Sequence, residues 1–174
     1  MSIMAIRWAD ELPITHIKVK IKMNFSNLLK GDNISATVYY KKIEAVEANE
    51  GSRVASNDLF KALNFNIIAK ESSSIKLHLD VDRLTTKLSQ GSVLELNGKV
   101  AYADILVNSG AKYEADKLIS KQTIITANTG GKGTINATDF VNAKVRAGGT
   151  ILIYGKPKQI DQKIVAGGSI EQEK

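Results

Sequence analysis

The chain's 174 residues carry 24 Lys or Arg against 18 Asp or Glu, a formal net charge of +6, with 43% hydrophobic content and no cysteine. That length and apolar fraction suit one globular module with its own core, and the missing thiols exclude disulfides, thiolate metal centres and cysteine nucleophiles. No segment approaches the ~20 apolar residues of a membrane-spanning helix.

The chain opens on a mixed stretch, Met1 to Leu12, in which Trp8 stands among Arg7, Asp10 and Glu11 before Pro13. Pro13 and Trp8 suggest that residues 1–13 form a lead-in or cap and residues 14–174 the body, and the stretch has no apolar centre like that of a signal peptide. His16 and the alternating Lys18, Lys20 and Lys22 begin strand-like spacing. From Gly31 onward a small turn returns every 18 to 21 residues: Gly31-Asp32, Gly51-Ser52, Ser72-Ser73, Gly91-Ser92, Gly110-Ala111, Gly130-Gly131, Gly148-Gly149 and Gly167-Gly168. Such a period is the mark of a solenoid.

Three residues before each turn lie Leu28, Ala48, Ala69, Leu88, Val107, Ala127, Val145 and Ile164, an inward apolar ladder. Three residues after lie Ile34, Val54, Ile75, Leu94, Tyr113, Gly133, Ile151 and Ile170, with Gly133 leaving a thin spot in one rung. A second wall comes from Val46, Ile67, Ile105 and Ile125 and from Phe65, Leu84, Val141 and Ile160. Between them the run Ile75-Lys76-Leu77-His78-Leu79-Asp80-Val81 alternates apolar and polar, as in strands. Helical repeats need longer units with 3.6-residue periodicity. The pattern therefore predicts an all-β fold, a single-stranded parallel β-helix of about seven to eight rungs. Parallel crossovers favour the right hand. Glycine at the corners accommodates positive φ, and Asn49, Asn108 and Asn128, each two residues before a turn, suggest a partial asparagine ladder. Lys156, Pro157, Lys158 and the tail Glu171 to Lys174 are suited to protecting an open end from edge pairing.

The basic excess is scattered, and the four arginines, Arg7, Arg53, Arg83 and Arg146, form no run. With no inserted helix or stacking platform beside them, nucleic acid is not an expected partner. The Lys76, His78 and Asp80 row resembles the cation, base and acid of polysaccharide cleavage, but the corresponding positions of other repeats hold Ala55, Glu95, Glu114 and Thr134 rather than converging carboxylates. A solvated wall is the preferred reading. Thr129-Gly130-Gly131-Lys132-Gly133-Thr134 fails as a phosphate loop, because Lys132 is followed by glycine rather than Ser or Thr and no helix follows. It also lacks the aspartate of calcium-binding repeats. Asn24, Asn33 and Asn136 begin glycosylation-type sequons of no diagnostic weight. No catalytic residue, cofactor site or metal site is expected.

The run Val141 to Lys158, with its Ala147-Gly148-Gly149-Thr150-Ile151-Leu152-Ile153-Tyr154-Gly155-Lys156-Pro157 stretch, and the closing Val165-Ala166-Gly167-Gly168-Ser169-Ile170 resemble the C-terminal signature of the putative auto-transporter adhesin, head GIN domain family. Asn108-Ser109-Gly110-Ala111 and Asn128-Thr129-Gly130-Gly131 resemble its recurrent turns, while Ser72-Ser73 stands where glycine is usual. The similarity covers about residues 14 to 174. The resemblance implies a β-helix protein of the bacterial cell envelope or surface, non-enzymatic, structural or adhesin-like, contacting surface polysaccharide or another envelope component. A carbohydrate-active β-helix enzyme and an end-to-end self-assembling scaffold are the alternatives.

Overall fold

The computed structural model describes the backbone of residues 3–8 and all of residues 35–173. The described residues form strands and connecting turns only: β1 (Ile3–Trp8), β2 (Ser35–Tyr40), β3 (Ala45–Ala48), β4 (Arg53–Ala69), β5 (Ser74–Leu88), β6 (Val93–Val107), β7 (Lys112–Asn128), β8 (Lys132–Arg146), β9 (Gly149–Gly155), β10 (Gln159–Val165) and β11 (Gly168–Gln172). Every pairing among them is parallel. The sheet order β11-β9-β8-β7-β6-β5-β4-β1-β2 stacks successive repeats as coils, as expected.

Each coil has two arms. In β5 the long arm turns Ile75, Leu77, Leu79 and Val81 inward; Asp82 and Arg83 then both face solvent at a corner; and the short arm turns Leu84, Thr86 and Leu88 inward. Stacking these positions from coil to coil buries one continuous apolar column, and removing that surface from water is the main stabilising term. All the described members of the ladder before each turn are buried except Ile164, which is 50% exposed. It keeps its place in the column, paired with Val145, and among the described residues no further strand pairs over it. The expected thin spot at Gly133 is filled instead: a Cβ there would come within 2.5 Å of Ile125 Cδ1.

The glycine-bearing corners are tighter than glycine spacing alone suggests. Glu50 and Gly51, Glu71 and Ser72, Gln90 and Gly91, Ser109 and Gly110, Thr129 and Gly130, Ala147 and Gly148, and Ala166 and Gly167 all have positive φ. Two consecutive left-handed residues turn the chain through one β-turn, closed by bonds such as Ser52 N to Asn49 O at 3.1 Å and Gly131 N to Asn128 O at 2.9 Å. The corners also bond one another, as in Gly91 N to Ser109 O at 3.1 Å. Ser72 holds the second corner position at φ 57° without being glycine. A left-handed non-glycine residue costs roughly 1–2 kcal/mol, partly offset by glycine's extra freedom in the unfolded chain. Ser72→Gly should therefore stabilise by up to about 1 kcal/mol, read as a higher urea midpoint; an unchanged or lower midpoint would refute it.

The asparagine ladder is realised between Asn128 Nδ2 and Asn108 Oδ1, 2.9 Å apart, whereas Asn49 Nδ2 donates to Glu47 within its own coil. Serine supports the same corner, with Ser73 Oγ donating to Ala48 O at 2.8 Å and Ser92 Oγ to Ala69 O at 2.9 Å.

Two irregularities interrupt the stack. Within the expected lead-in, Ile3–Trp8 runs as a full strand between β2 and β4, so the first described coil meets the next through an inserted strand on one arm and directly through β3 on the other. At the far end Lys156-Pro157-Lys158 interrupts the coil between β9 and β10, consistent with proline's missing N–H; Lys158 Nζ is 2.7 Å from Asp139 Oδ1.

Two phenols give the fold an alkaline limit. Burial, and secondly the Asp58 carboxylate, push Tyr40 up to about 12, and complete burial raises Tyr113 further. An acid whose folded-state pKa is raised contributes stability that is intact below its unfolded value, about 10, and is lost as pH rises through the folded value. Stability should fall between pH 10 and 12, and Tyr113→Phe should flatten that fall. An equally steep decline in Tyr113→Phe would refute the assignment.

Candidate functional site

The outer surface inherits its geometry from the same register. On the long arm, Ala55, Lys76, Glu95, Glu114 and Thr134 form one outward column, as the sequence spacing predicts, and Leu152 continues it. Lys76 Nζ lies 2.6 Å from Glu95 Oε1, so this cation is already paired along the column. His78 sits in register between Leu59 and Asn97, and Asp80 between Lys61 and Lys99. The three members of the row therefore have separate neighbours on the adjoining coils, and no second carboxylate joins Asp80 from those two positions.

Two slight concavities lie elsewhere. One is a narrow, partly open gap beside Tyr113, Leu118 and Ile135, too small to admit a water, where Ser120 Oγ meets Thr123 Oγ1 at 2.6 Å and donates to Asn136 O at 2.9 Å. The other is a shallow surface depression formed by Lys112, Glu114, Lys132 and Thr134 with Tyr113 beneath. Lys132, from the rejected phosphate-loop segment, thus stands on a strand face beside Lys112. Among the described residues no group of three or more His, Cys, Asp or Glu side chains could hold a metal ion. Asn136 uses its side-chain amide to bond Asp116 O at 2.8 Å. His16, Lys18, Lys20, Lys22, Asn24 and Asn33 lie outside the described residues.

The long arm is also the irregular one. Register shifts interrupt it between β4 and β5, β6 and β7, and β7 and β8, as β-bulges do. The short arm keeps unbroken register from β4 to β10: Phe65, Leu84, Ala103, Thr123, Val141 and Ile160 share one inward column. Its outer face carries a feature that the sequence reading missed. Asn64, Arg83, Tyr102, Gln122, Phe140 and Gln159 form a continuous column at the start of this arm, with Tyr102 46% exposed and the Arg83 guanidinium carbon 5.5 Å from its ring centroid. Ile124, 50% exposed, stands on the same face. The signal was the spacing of Tyr102 and Phe140, two repeats apart, which becomes visible only when the corner opposite the glycines is aligned.

Parallel strands, seven left-handed corners and one filled apolar column define a β-solenoid. The family model for "Putative auto-transporter adhesin, head GIN domain" matches residues 14–157, and the chain belongs to that family. Its fold is similar to that of a putative adhesin from Bacteroides fragilis, with a TM-score of 0.74 at 17% identity over 99% of this chain and 91% of that one. It is also similar to a putative lipid binding protein from Parabacteroides distasonis, with a TM-score of 0.70 at 15% identity over 99% of this chain and 92% of that one. Among curated proteins none matches.

Proposed function

We propose that this chain is a non-enzymatic, adhesin-like module of the bacterial cell envelope that contacts surface ligands through its outer walls. The observation carrying this reading is the regular outer face of the short arm, where unbroken register holds Arg83, Tyr102 and Phe140 in one line on a rigid sheet. Ligand contact on such a wall needs no cleft, because a sheet face supplies preordered side chains at fixed spacing. Family membership supports an envelope setting. The long-arm row offers less for catalysis, since Lys76 is committed to Glu95 and a base needs a positioned partner and a substrate-sized recess.

Protease treatment of intact cells producing the protein tests the reading directly. Digestion of the domain from outside is the expected result. Complete protection would place the protein away from the surface and sink the adhesive role. Oligosaccharide release from envelope glycans that disappeared in His78→Ala would instead restore the enzyme alternative.

A further inference from the structure

Three features of the short-arm face combine into a more specific binding surface. The first is periodicity. Strands repeat at about 4.8 Å, so Tyr102 and Phe140, two coils apart in one column, lie about 9.6 Å from each other. That interval is close to the repeat of a disaccharide in an extended β-linked chain, so alternate sugars of one polymer would meet equivalent rings. The second is chemistry. Gln122 stands between the two rings and Asn64 and Gln159 at the ends of the column, giving amide donors and acceptors suited to sugar hydroxyls. Aromatic rings offer apolar area at low conformational cost.

The third is charge. Arg83 and Lys87 on β5, Lys144 and Arg146 on β8 and Lys163 on β10 outnumber Glu47 on β3, Asp104 on β6 and Asp161 on β10 on this face. Lys144 and Lys163 are direct register partners, which sets two cations side by side along the polymer's direction. Arg83 adjoins the Tyr102 ring, so a sugar at that ring would carry its acidic substituent within reach of a planar guanidinium, the donor geometry that fits a carboxylate. An uncharged glycan would leave these cations without complement.

We infer that the short-arm face binds an extended acidic polysaccharide lying along the coil axis, with Tyr102 and Phe140 as stacking points, Arg83 meeting its carboxylates in the ring column, and Lys144 and Lys163 flanking that column about 13 Å to one side. This deepens the adhesin-like reading and rests on it. The ligand needs no enclosing pocket, because many weak, evenly spaced contacts add along a polymer. Salt weakens the binding, as it does any association driven by exposed charge.

Affinity electrophoresis of the full chain through gels containing mannuronate-rich alginate, hyaluronate or neutral hydroxyethyl cellulose tests the inference. Retardation is expected with the acidic polymers, weakly or not at all with the neutral one, and should decline with added salt. Tyr102→Ala and Arg83→Gln should each weaken binding about tenfold, the scale of one lost stacking or cation contact, while thermal midpoints stay near that of the unaltered protein. Lys112→Ala, on the long-arm face, should bind normally. Absence of retardation with both acidic polymers, or retention unchanged in Tyr102→Ala and Arg83→Gln, overturns the inference. So does binding confined to phosphatidylglycerol vesicles and lost in Tyr102→Ala, which would give the same face to a lipid surface. Cells from which protease removes the domain, combined with no retardation, would reject this ligand and leave the adhesive role standing. Protection in cells with retardation in gels would reject the adhesive role alone.

Discussion

Gly98→Ala should destabilise the fold by about 3 kcal/mol or more, because it combines a strained backbone with a collision against a neighbouring coil. Gly98 adopts φ 109° within β6, beyond the left-handed well that other residues tolerate. A Cβ built there would lie 2.0 Å from the Leu79 carbonyl oxygen and 3.0 Å from its carbonyl carbon. Both belong to the backbone of β5, in register with Gly98, so relief requires moving a ladder strand rather than a flexible side-chain tip. β6 also lies in the interior of the stack, between β5 and β7, so displacement there disturbs two interfaces. Gly110→Ala is the matching control: its φ is 70° and nothing lies within 4 Å of the added carbon. That variant should lose only the left-handed penalty, roughly 1–2 kcal/mol. In urea unfolding the difference between the two variants measures the collision together with the added backbone strain at φ 109°, and equal losses would show that both are relieved without cost.

Periodicity made most of this architecture readable. The turns at Gly51, Gly91, Gly110, Gly130, Gly148 and Gly167 recur at nearly constant intervals because every coil must return to the same edge of the stack, and the ladder from Ala48 to Val145 is buried for the same reason. The strand register that places Ala55, Glu95, Glu114 and Thr134 in one column with Lys76 follows from counting from those turns. Counting fails where a strand bulges. The interval from Gly51 to Ser72 is 21 residues and that from Gly110 to Gly130 is 20; these coils contain the 17-residue strands β4 and β7, whose extra residues produce register shifts on the long arm. The unequal intervals were thus a legible trace of the bulges. The insertion of Ile3–Trp8 between β2 and β4 left no such trace, because alternation specifies that a segment is a strand without specifying its partner.

The binding face was hidden for a related reason. Tyr102 and Phe140 are unremarkable as single exposed or half-exposed aromatics. They become a line only when the corner opposite the glycines is used as the reference, and there the coils supply Leu63-Asn64, Asp82-Arg83, Ala101-Tyr102 and Lys121-Gln122, with no shared residue to mark the register. The Lys76-His78-Asp80 row, conspicuous in sequence, is dispersed by what neighbouring coils place beside it. Outward columns in a solenoid are composed from different repeats, so the chemistry of a wall is set across coils rather than along one strand.

Phe65→Ala should cost about 3–5 kcal/mol and loosen one end of the solenoid before the other. Phe65 is fully buried on β4, with its ring 5.7 Å from that of Phe60, which in turn stacks at 5.1 Å on Tyr40 of β2. Truncation removes the largest side chain of its column, since Leu84 and Ala103 on the next coils are smaller and fixed by their own register. The resulting cavity cannot collapse without breaking that register, so the loss should reach the range typical of buried aromatics. A solenoid is held by contacts between adjacent coils, and instability therefore spreads from the damaged coil rather than appearing everywhere at once. Hydrogen exchange should show β2 to β4 losing protection first, with β7 and β8 retaining most of theirs, and Phe65→Leu should recover much of the lost stability. Uniform loss of protection from β2 to β9 would mean that the coils unfold as one unit, and that coupling along the stack exceeds what neighbouring contacts provide.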